Sequence, residues 1–373
     1  MSSSLISYLT DVHFGCGAIA ELPALLSSLN ISRPLLVTDK GLSALGMPDR
    51  LQVDLAAVHD DVPTNPTESS VVAGANTYSA NSCDGIIALG GGSPIDCAKG
   101  VSLKVTHPGP LKDYALIHGG LAKITADKPP LIAIPTTAGT GTEVGRGALI
   151  TVEGGTKLGI ISKHIIPTAS ICDPELTVGL PPRLTAATGV DAISHCVETY
   201  SSPKFNPVAD AIALDGLSRA WQHLPIAVSQ PENLEARSEM MLAAMQGALA
   251  FQKGLGLIHS LSHPMGALPH RSLHHGELNG VFMPHVLRFN AQSCPDKMAG
   301  IANAVGAASS EDLPQFFTEF QQVIALPISL SEMGVEPVDL ETIPPLAIAD
   351  HSTPSNPRKA IESDCREILQ AAL

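Results

Sequence analysis

Histidines, the side chains that most often bind transition metals, are concentrated in one short stretch of this sequence. Five of them lie within seventeen residues: His259, His263, His270, His274 and His275. His259 and His263 are four residues apart, so on a helix they share one face, separated by about 6 Å along the axis. Upstream, Asp191 and His195 have the same spacing. The spacing predicts two helices, each presenting one face of ligand-type side chains.

Two such helices can enclose one divalent ion. Asp191, His195, His259 and a histidine near 275 would supply one carboxylate and three imidazoles, a set suited to Fe²⁺ or Zn²⁺. A single histidine on a helix is more often a hydrogen-bonded core residue, and it is the pairing of two such motifs that favours a metal. The pattern therefore predicts a buried metal centre shared by two helices.

The pattern of elements that must position this centre changes along the chain. In the first half, apolar runs at 33–41, 84–100 and 130–143 each lead into a polar or glycine-rich loop, which indicates βαβ units and a parallel sheet. From about residue 183 the period is helical. With 373 residues, two domains are expected: an α/β domain over 1–182 and an all-α domain over 183–373, with a substrate cleft between them.

Composition excludes several classes of function. The net charge of −14 leaves no basic surplus for a nucleic-acid partner, and aromatic residues make up only 3%. Seven cysteines without a CxxC pair indicate a reducing cytoplasm rather than a disulfide framework. We expect no signal peptide, because the N-terminus lacks a basic and an apolar region, and no bilayer-spanning segment.

Three polar features fall where the predicted strands end, which is where parallel sheets bind ligands. The Gly-Gly-Gly-Ser sequence at 90–93 precedes a helix and could receive a pyrophosphate, or be only a tight turn. The Thr/Gly-rich loop at 136–142 offers hydroxyl donors, or is a polar surface turn. Asp39 could bind a ribose 2′-hydroxyl, which favours NAD over NADP, or cap a helix.

Taken together, these motifs resemble the iron-containing (group III) alcohol dehydrogenases over nearly the whole chain. The stretches that carry the resemblance are TDKG, LGGGSPIDCAKG, IPTTAGTGTE, CDPELTVGLPP, LTAATGVDAISHCVE, GLGLIHSLSHPMGA, HHG and NPR. It implies a dehydroquinate synthase-like fold, with a Rossmann-like parallel-sheet domain followed by a helical metal-binding domain. It also implies NAD, Fe²⁺ or Zn²⁺, and a cytoplasmic homodimer or larger homo-oligomer without a membrane or nucleic-acid partner.

The resemblance assigns roles to individual residues of the histidine-rich stretch. It implies the metal ligands Asp191, His195, His259 and His275. The loop LPHRSLHH is longer than in many relatives, so His270 and His274 compete for the fourth place, with His274 as the runner-up. His263 matches a histidine that in relatives lies near the nicotinamide and can relay protons.

The same resemblance implies cofactor-binding positions in the first half of the chain. They are Asp39, Asn65, Gly91, Gly92, Ser93, Asp96, Thr136, Thr137, Thr140 and Lys157.

Several stretches, including YLTDVHFG, AFQKGLG and LHHGELN, are most similar to the 4-hydroxybutyrate dehydrogenases of this family. They favour NAD- and metal-dependent hydride transfer on a small primary alcohol or aldehyde, such as 4-hydroxybutyrate or succinate semialdehyde. A carboxylate substrate needs a cation, for which Arg146 and Lys253 are candidates, although either could be a surface charge. The alternatives are a reductase of short-chain aldehydes, lactaldehyde or other functionalised aldehydes, a maleylacetate reductase-like enzyme, or a non-catalytic nucleotide- or metal-binding protein.

Overall fold

The structure is a computed structural model that describes residues 8, 10–268 and 270–373, and these fall into two compact units. The first contains residues 8, 10–137 and 142–178, and the second contains 138–141, 179–268 and 270–373. The short segment 138–141, which we expected in the sheet domain, belongs to the second unit. A Cβ on Gly141 would lie only 2.4 Å from the carbonyl oxygen of Ala244, so the absence of a side chain there permits this close packing.

The first unit is built on a parallel sheet, as predicted. Its strands are β1 (Asp11–Phe14), β2 (Pro34–Val37), β3 (Ala57–His59), β4 (Gly85–Gly90), β5 (Leu131–Pro135), β6 (Gly147–Thr151), β7 (Lys157–Ile161) and β8 (Ala169–Cys172). Six of them form one parallel sheet in the order β1-β8-β5-β4-β2-β3, while β6 and β7 form a separate antiparallel pair. The carboxyl ends of β2, β4 and β5 therefore lie at one edge of the sheet.

Both faces of the sheet are buried, which explains the continuous apolar runs in its strands. Along β4, Ile86 and Ala88 pack into one apolar cluster and Ile87 and Leu89 into another. The α-helices of this unit are α1 (Leu22–Ser28), α2 (Lys40–Ala44), α3 (Glu68–Ala80) and α4 (Gly92–Lys104). Residues of α3 and α4 contribute to the first cluster and residues of α1 to the second.

The described part of the second unit is helical. Its α-helices are α5 (Pro182–Ser201), α6 (Pro207–Ser229), α7 (Leu234–Ala250), α8 (Leu257–Gly266), α9 (His275–Asn290), α10 (Pro295–Val305), α11 (Leu313–Val323), α12 (Ile343–Ala349) and α13 (Glu362–Ala372). Helix α5 packs against α6, α7 and α9, and α8 packs against α9 and α12. Within the described residues, no helix is both long and apolar enough to cross a membrane.

Candidate active site

Three helices of the second unit bring four predicted ligand side chains together. Asp191 and His195 lie on α5, His259 on α8, and His275 is the first residue of α9. One oxygen, Oδ1 of Asp191, lies 3.4 Å from Nε2 of His195, 3.6 Å from Nε2 of His275 and 3.7 Å from Nε2 of His259. Ligand atoms of Asp191, His195 and His259 all lie within 4.8 Å of one another, and His275 approaches the same carboxylate oxygen.

The close approach of α9 to α5 depends on the glycine that follows His275. A Cβ on Gly276 would lie 2.0 Å from the carbonyl oxygen of Ala187, one turn before Asp191 on α5. No larger residue fits there without moving the backbone. This contact sets the first turn of α9, and with it His275, beside the carboxylate of Asp191.

The spacing of these atoms fits a metal ion. Ligand atoms about 2.1 Å from a tetrahedral ion are separated from one another by about 3.4 Å. The three distances from Asp191 Oδ1, 3.4 to 3.7 Å, are close to that value. Asp191, His195 and His259 are almost fully buried, which suits a site closed to bulk water.

A carboxylate behind His259 fixes the protonation of its ring. Nδ1 of His259 donates to Oε2 of Glu198 at 2.6 Å, and the other oxygen of Glu198 accepts from the backbone N–H of Ile258 at 2.6 Å. Such a carboxylate–histidine pair keeps the proton on Nδ1 and leaves Nε2 to a metal. Burial by itself would lower the pKa of His259, but hydrogen bonds to Asp191 and Glu198 raise it to about 9.

The pKa values of Asp191 and His195 favour an ionised carboxylate and a neutral imidazole, which are the forms that bind a cation. Burial by itself would raise the pKa of Asp191, but the neighbouring histidines lower it well below its usual range. Burial lowers the pKa of His195 to about 4, against the attraction of Asp191, so this ring is neutral at pH 7. An ion entering the cluster would replace the proton on His259, as expected when imidazole binds a metal.

Asn279 lies at the centre of the cluster, one helical turn after His275. Its Nδ2 is 2.8 Å from Oδ1 of Asp191, 3.2 Å from Nε2 of His275 and 3.3 Å from Nε2 of His259. An amide nitrogen has two hydrogens, so it can serve at most two of these three atoms. The Oδ1 of Asn279 is buried and has no hydrogen-bond partner among the described residues. At least one of the three ligand atoms therefore receives no hydrogen from Asn279 and keeps that lone pair for a cation.

The structure separates the three histidines that competed for the fourth position. His274 is the N-cap of α9, and its Nδ1 accepts from the backbone N–H of Gly276 at 3.2 Å. His270 lies in the loop before α9, where its Nε2 is 2.6 Å from a carboxylate oxygen of Asp339. Arg271 also pairs with Asp339, at 2.8 Å. Of the three, His275 is the histidine whose ring is placed against Asp191.

His263 lies beside this cluster, in the last turn of α8. Its ring is stacked on that of His275, with 5.4 Å between centroids, and also on that of His351 at the same distance. Nδ1 of His263 is 2.9 Å from Oδ2 of Asp350. Burial opposes ionisation of Asp350, but His263 and His351 hold its pKa well below the usual range. The carboxylate is thus ready to accept the Nδ1–H of His263.

The two predicted substrate cations have different surroundings. Lys253 is 1% exposed, and its ammonium donates to a carboxylate oxygen of Asp210 and to the carbonyl of Tyr200 at 3.1 Å. These contacts give Lys253 a structural role within the protein, in place of the predicted contact with a substrate carboxylate. Arg146 lies in the first unit, just before β6, and burial lowers its pKa.

The glycine-rich loop lies where a nucleotide-binding turn is expected. Gly90 ends β4 with a φ of +151°, which residues with a side chain rarely adopt, and Gly91 is the N-cap of α4, with Gly92 its first residue. A Cβ on Gly91 would lie 3.2 Å from the hydroxyl of Thr137. The backbone N–H of Thr136 donates to the carbonyl of Gly90 at 3.0 Å, so the loops after β4 and β5 are joined.

Other predicted cofactor residues have partners within the protein. Asp39 caps α2 through the N–H of Leu42 at 2.9 Å, as the helix-cap alternative anticipated. Both oxygens of Asp96 are engaged: Oδ1 accepts from Thr142 at 2.6 Å and Oδ2 from the N–H of Leu149 at 2.9 Å. Both carboxylate oxygens of Asp96 are thus engaged in hydrogen bonds within the first unit.

Three further positions complete the set. Lys157 donates to Oδ1 of Asn65 at 3.0 Å, so two residues predicted to bind cofactor are in contact. Ser93, in the first turn of α4, donates its hydroxyl proton to the carbonyl of Thr64. Thr140 is the exception, because it belongs to the segment 138–141 of the second unit.

Sequence reasoning did not identify Glu198, Asn279, Asp350 or His351 as members of the site. Signals existed for two of them. Glu198 follows Asp191 by seven residues, which is two turns along the same face of a helix, and Asn279 follows His275 by four. Asp350 is 87 residues from His263, and no periodic pattern connects them.

Known proteins are similar to this chain along almost its whole length. A family model described as iron-containing alcohol dehydrogenase matches residues 10–174, and one described as the C-terminal part of the Fe-containing alcohol dehydrogenase family matches residues 185–373. A 4-hydroxybutyrate dehydrogenase from Cupriavidus necator is 47% identical over 381 residues, covering 99% of this chain and all of that protein.

Solved structures show the same fold. A 1,3-propanediol oxidoreductase superposes with a TM-score of 0.94 at 35% identity, covering 99% of this chain and 100% of the other. A sulfoacetaldehyde reductase from Bifidobacterium kashiwanohense, solved in complex with NAD⁺, has a TM-score of 0.91 at 26% identity, covering 100% of this chain and 99% of that chain. The predicted fold class is confirmed, and the chain belongs to the iron-containing alcohol dehydrogenase family of oxidoreductases.

Proposed function

We propose that this protein is an NAD-dependent, metal-dependent alcohol dehydrogenase that interconverts a small primary alcohol and its aldehyde. The favoured pair is 4-hydroxybutyrate and succinate semialdehyde, with NAD⁺ reduced to NADH and one proton released per oxidation. The observation that carries the proposal is the convergence of three histidine nitrogens on one carboxylate oxygen, at 3.4 to 3.7 Å. The 47% identity to a 4-hydroxybutyrate dehydrogenase supports the choice of substrate.

In this proposal, Asp191, His195, His259 and His275 hold one divalent ion, Fe²⁺ or Zn²⁺. When bound, the ion supplies Lewis-acid polarisation of the substrate oxygen, and NAD supplies the hydride acceptor. Glu198 keeps the proton of His259 on Nδ1, so that Nε2 faces the ion. The near-complete burial of three ligands excludes water from around them, which strengthens electrostatic interactions in the site.

NAD binding is assigned to the first unit. The N-terminus of α4 offers backbone N–H groups to a pyrophosphate. Its N-cap, Gly91, has no side chain that would obstruct the approach. Thr136 and Thr137 lie beside that turn at the end of β5. Asp39, just after β2, uses Oδ1 to cap α2, and its other oxygen would suit a ribose hydroxyl and repel a 2′-phosphate, which favours NAD over NADP.

His263 is the proposed proton relay. Its Nδ1 faces Asp350 at 2.9 Å, so Nδ1 carries a proton and Nε2 has a lone pair that can accept one. The stacked ring of His275 places His263 next to the ligand set. His263 would take up the hydroxyl proton when the alcohol is oxidised and return one when the aldehyde is reduced.

The test combines metal analysis with turnover on protein prepared anaerobically. Oxidation of NADH is followed with succinate semialdehyde and a panel of plain aldehydes, after addition of Fe²⁺ or Zn²⁺. We expect His195→Ala to lose bound metal and turnover together. The matched control is His223→Ala. His223 is not among the proposed ligands, and its Nδ1 lies 3.0 Å from the backbone carbonyl of Arg219. A His195→Ala variant without metal but with the parent rate would contradict the proposal.

A neutral diol is the second candidate substrate. The similarity to a 1,3-propanediol oxidoreductase, at 35% identity over 99% of this chain, favours it. The two candidates are separated by kcat/KM for 4-hydroxybutyrate and for 1,3-propanediol. Arg146 remains the candidate for binding a substrate carboxylate, so Arg146→Met should raise KM for 4-hydroxybutyrate and leave KM for 1,3-propanediol unchanged.

We further propose a cytoplasmic homodimer or larger homo-oligomer. All seven cysteines are free thiols in the structure, which suits a reducing compartment. The oligomeric state follows from family resemblance, and light scattering of the purified protein would test it.

A further inference from the structure

A second group of metal-ligand side chains lies next to the first but shares no residue with it. It consists of His263 in the last turn of α8, Asp350 just after α12, and His351. One ligand atom from each of these side chains lies within 4.8 Å of the others. Nδ1 of His263 is 2.9 Å from Oδ2 of Asp350, and Nδ1 of His351 is 3.7 Å from Oδ1.

Two imidazoles and one carboxylate are a donor set that transition metals accept, with water completing the coordination. Ligand atoms around a tetrahedral ion are separated by about 3.4 Å, so an ion would open the 2.9 Å hydrogen bond between His263 and Asp350 by about 0.5 Å. The side chains are 9, 12 and 22% exposed, in the order His263, Asp350, His351. The group is thus held in place by its surroundings but accessible to solvent through His351.

We propose that His263, Asp350 and His351 form a second transition-metal site, which binds Zn²⁺ when the ion is present in excess and withdraws His263 from proton transfer. The site is weaker than the first, because it has three protein ligands instead of four. In addition, the ion must replace the proton that Nδ1 of His263 shares with Asp350, and that proton is released to solvent.

The inhibitory consequence rests on the proposed role of His263, whereas the binding itself does not. A relay needs an imidazole that can gain and lose a proton. An ion on Nδ1 would hold the proton of the neutral ring on Nε2, which then has no lone pair to accept the proton of an alcohol. Zinc at the first site would support turnover, and zinc at the second would stop it.

The variant that tests the site is His351→Phe, which keeps an aromatic ring against His263 but removes the nitrogen ligand. Protein carrying one equivalent of Zn²⁺ is titrated with further Zn²⁺ against a chromophoric chelator. The parent should bind a second equivalent, and His351→Phe should lose it or bind it at least about tenfold more weakly. His223→Ala, which changes a histidine elsewhere in the same unit, should bind like the parent.

The kinetic arm uses the same proteins. Excess Zn²⁺ should inhibit the parent and His223→Ala, a chelator should reverse the inhibition, and His351→Phe should need at least about tenfold more zinc for half-inhibition. A parent that binds a single equivalent, or a His351→Phe variant that binds two with unchanged affinity, would overturn the site. If no alcohol or aldehyde is turned over, the proposed function fails, but the titration still decides whether the site exists.

Discussion

Replacing Glu198 by glutamine should weaken metal binding while leaving the fold intact. Glu198 is buried, and each of its oxygens accepts one hydrogen bond at 2.6 Å, from Nδ1 of His259 and from the N–H of Ile258. A glutamine has one carbonyl oxygen, so its NH₂ group must face one of these two donors. Facing His259, it would donate to Nδ1 and drive the ring proton to Nε2, the atom that must bind the ion.

The size of the effect follows from this displaced proton. Loss of an outer partner of a ligating histidine usually costs a factor of 10–100 in metal affinity, which is about 1.4 to 2.7 kcal/mol. We expect the Kd for Zn²⁺ of Glu198→Gln to rise by that factor. The pKa of His259, which Glu198 helps to raise, should fall in the metal-free variant, since a charge has been removed.

The assay is an anaerobic chelator competition with Zn²⁺ and Fe²⁺ on the parent, Glu198→Gln and Glu239→Gln. Glu239 is the matched control, because its carboxylate pairs with Arg219 at 2.5 Å. Circular dichroism establishes that each variant is folded before its affinity is compared. A folded Glu198→Gln variant whose Kd stays within about twofold of the parent would refute the role we assign to this carboxylate, given the 10–100-fold expectation.

Two further predictions concern other groups. His275→Ala should lose metal affinity. His274→Ala should keep metal affinity but lower the free energy of unfolding by about 1 kcal/mol, because His274 caps α9 through the N–H of Gly276. Chelator competition measures the first quantity and urea unfolding the second, and the opposite pattern would exchange the two roles. Glu143→Gln should stabilise the protein at pH 8 by up to about 3 kcal/mol but not at pH 4.5, because burial, opposed by Lys99, raises the pKa of Glu143 from 4.5 to about 7. The parent thus loses stability between about pH 4.5 and 7, because the Glu143 carboxyl ionises first in the unfolded chain. Urea unfolding in which parent and variant show the same change of stability with pH would count against this.

The residues that sequence could locate are those tied to a helical period. Asp191 and His195 share a face of α5, so their spacing alone indicated a common ligand surface. Sequence could not decide between His274 and His275, because adjacent residues point about 100° apart on a helix and the start of α9 was not known. In the structure His274 is the cap of α9 and His275 is its first helical residue, with Nε2 of His275 3.6 Å from Oδ1 of Asp191.

Contacts between distant parts of the chain were beyond such reasoning. His263 meets Asp350 across 87 residues, and His270 meets Asp339 across 69. Both carboxylates come from the C-terminal part of the chain, for which the sequence predicted only a helical period. The same limit explains the wrong expectation for Lys253. Its partner Asp210 lies 43 residues away in the sequence, and this contact makes Lys253 part of the core instead of a substrate ligand.

The loop before α9 is anchored at both of its ends, which bears on where this chain would tolerate an insertion. His270 and Arg271 tie the loop to Asp339, while the cap made by His274 and the tight seat of Gly276 define where α9 begins. Extra residues inserted between these two anchors would bulge outward without shifting the helix start. Such an insertion should therefore reshape the surface while His275 stays beside Asp191.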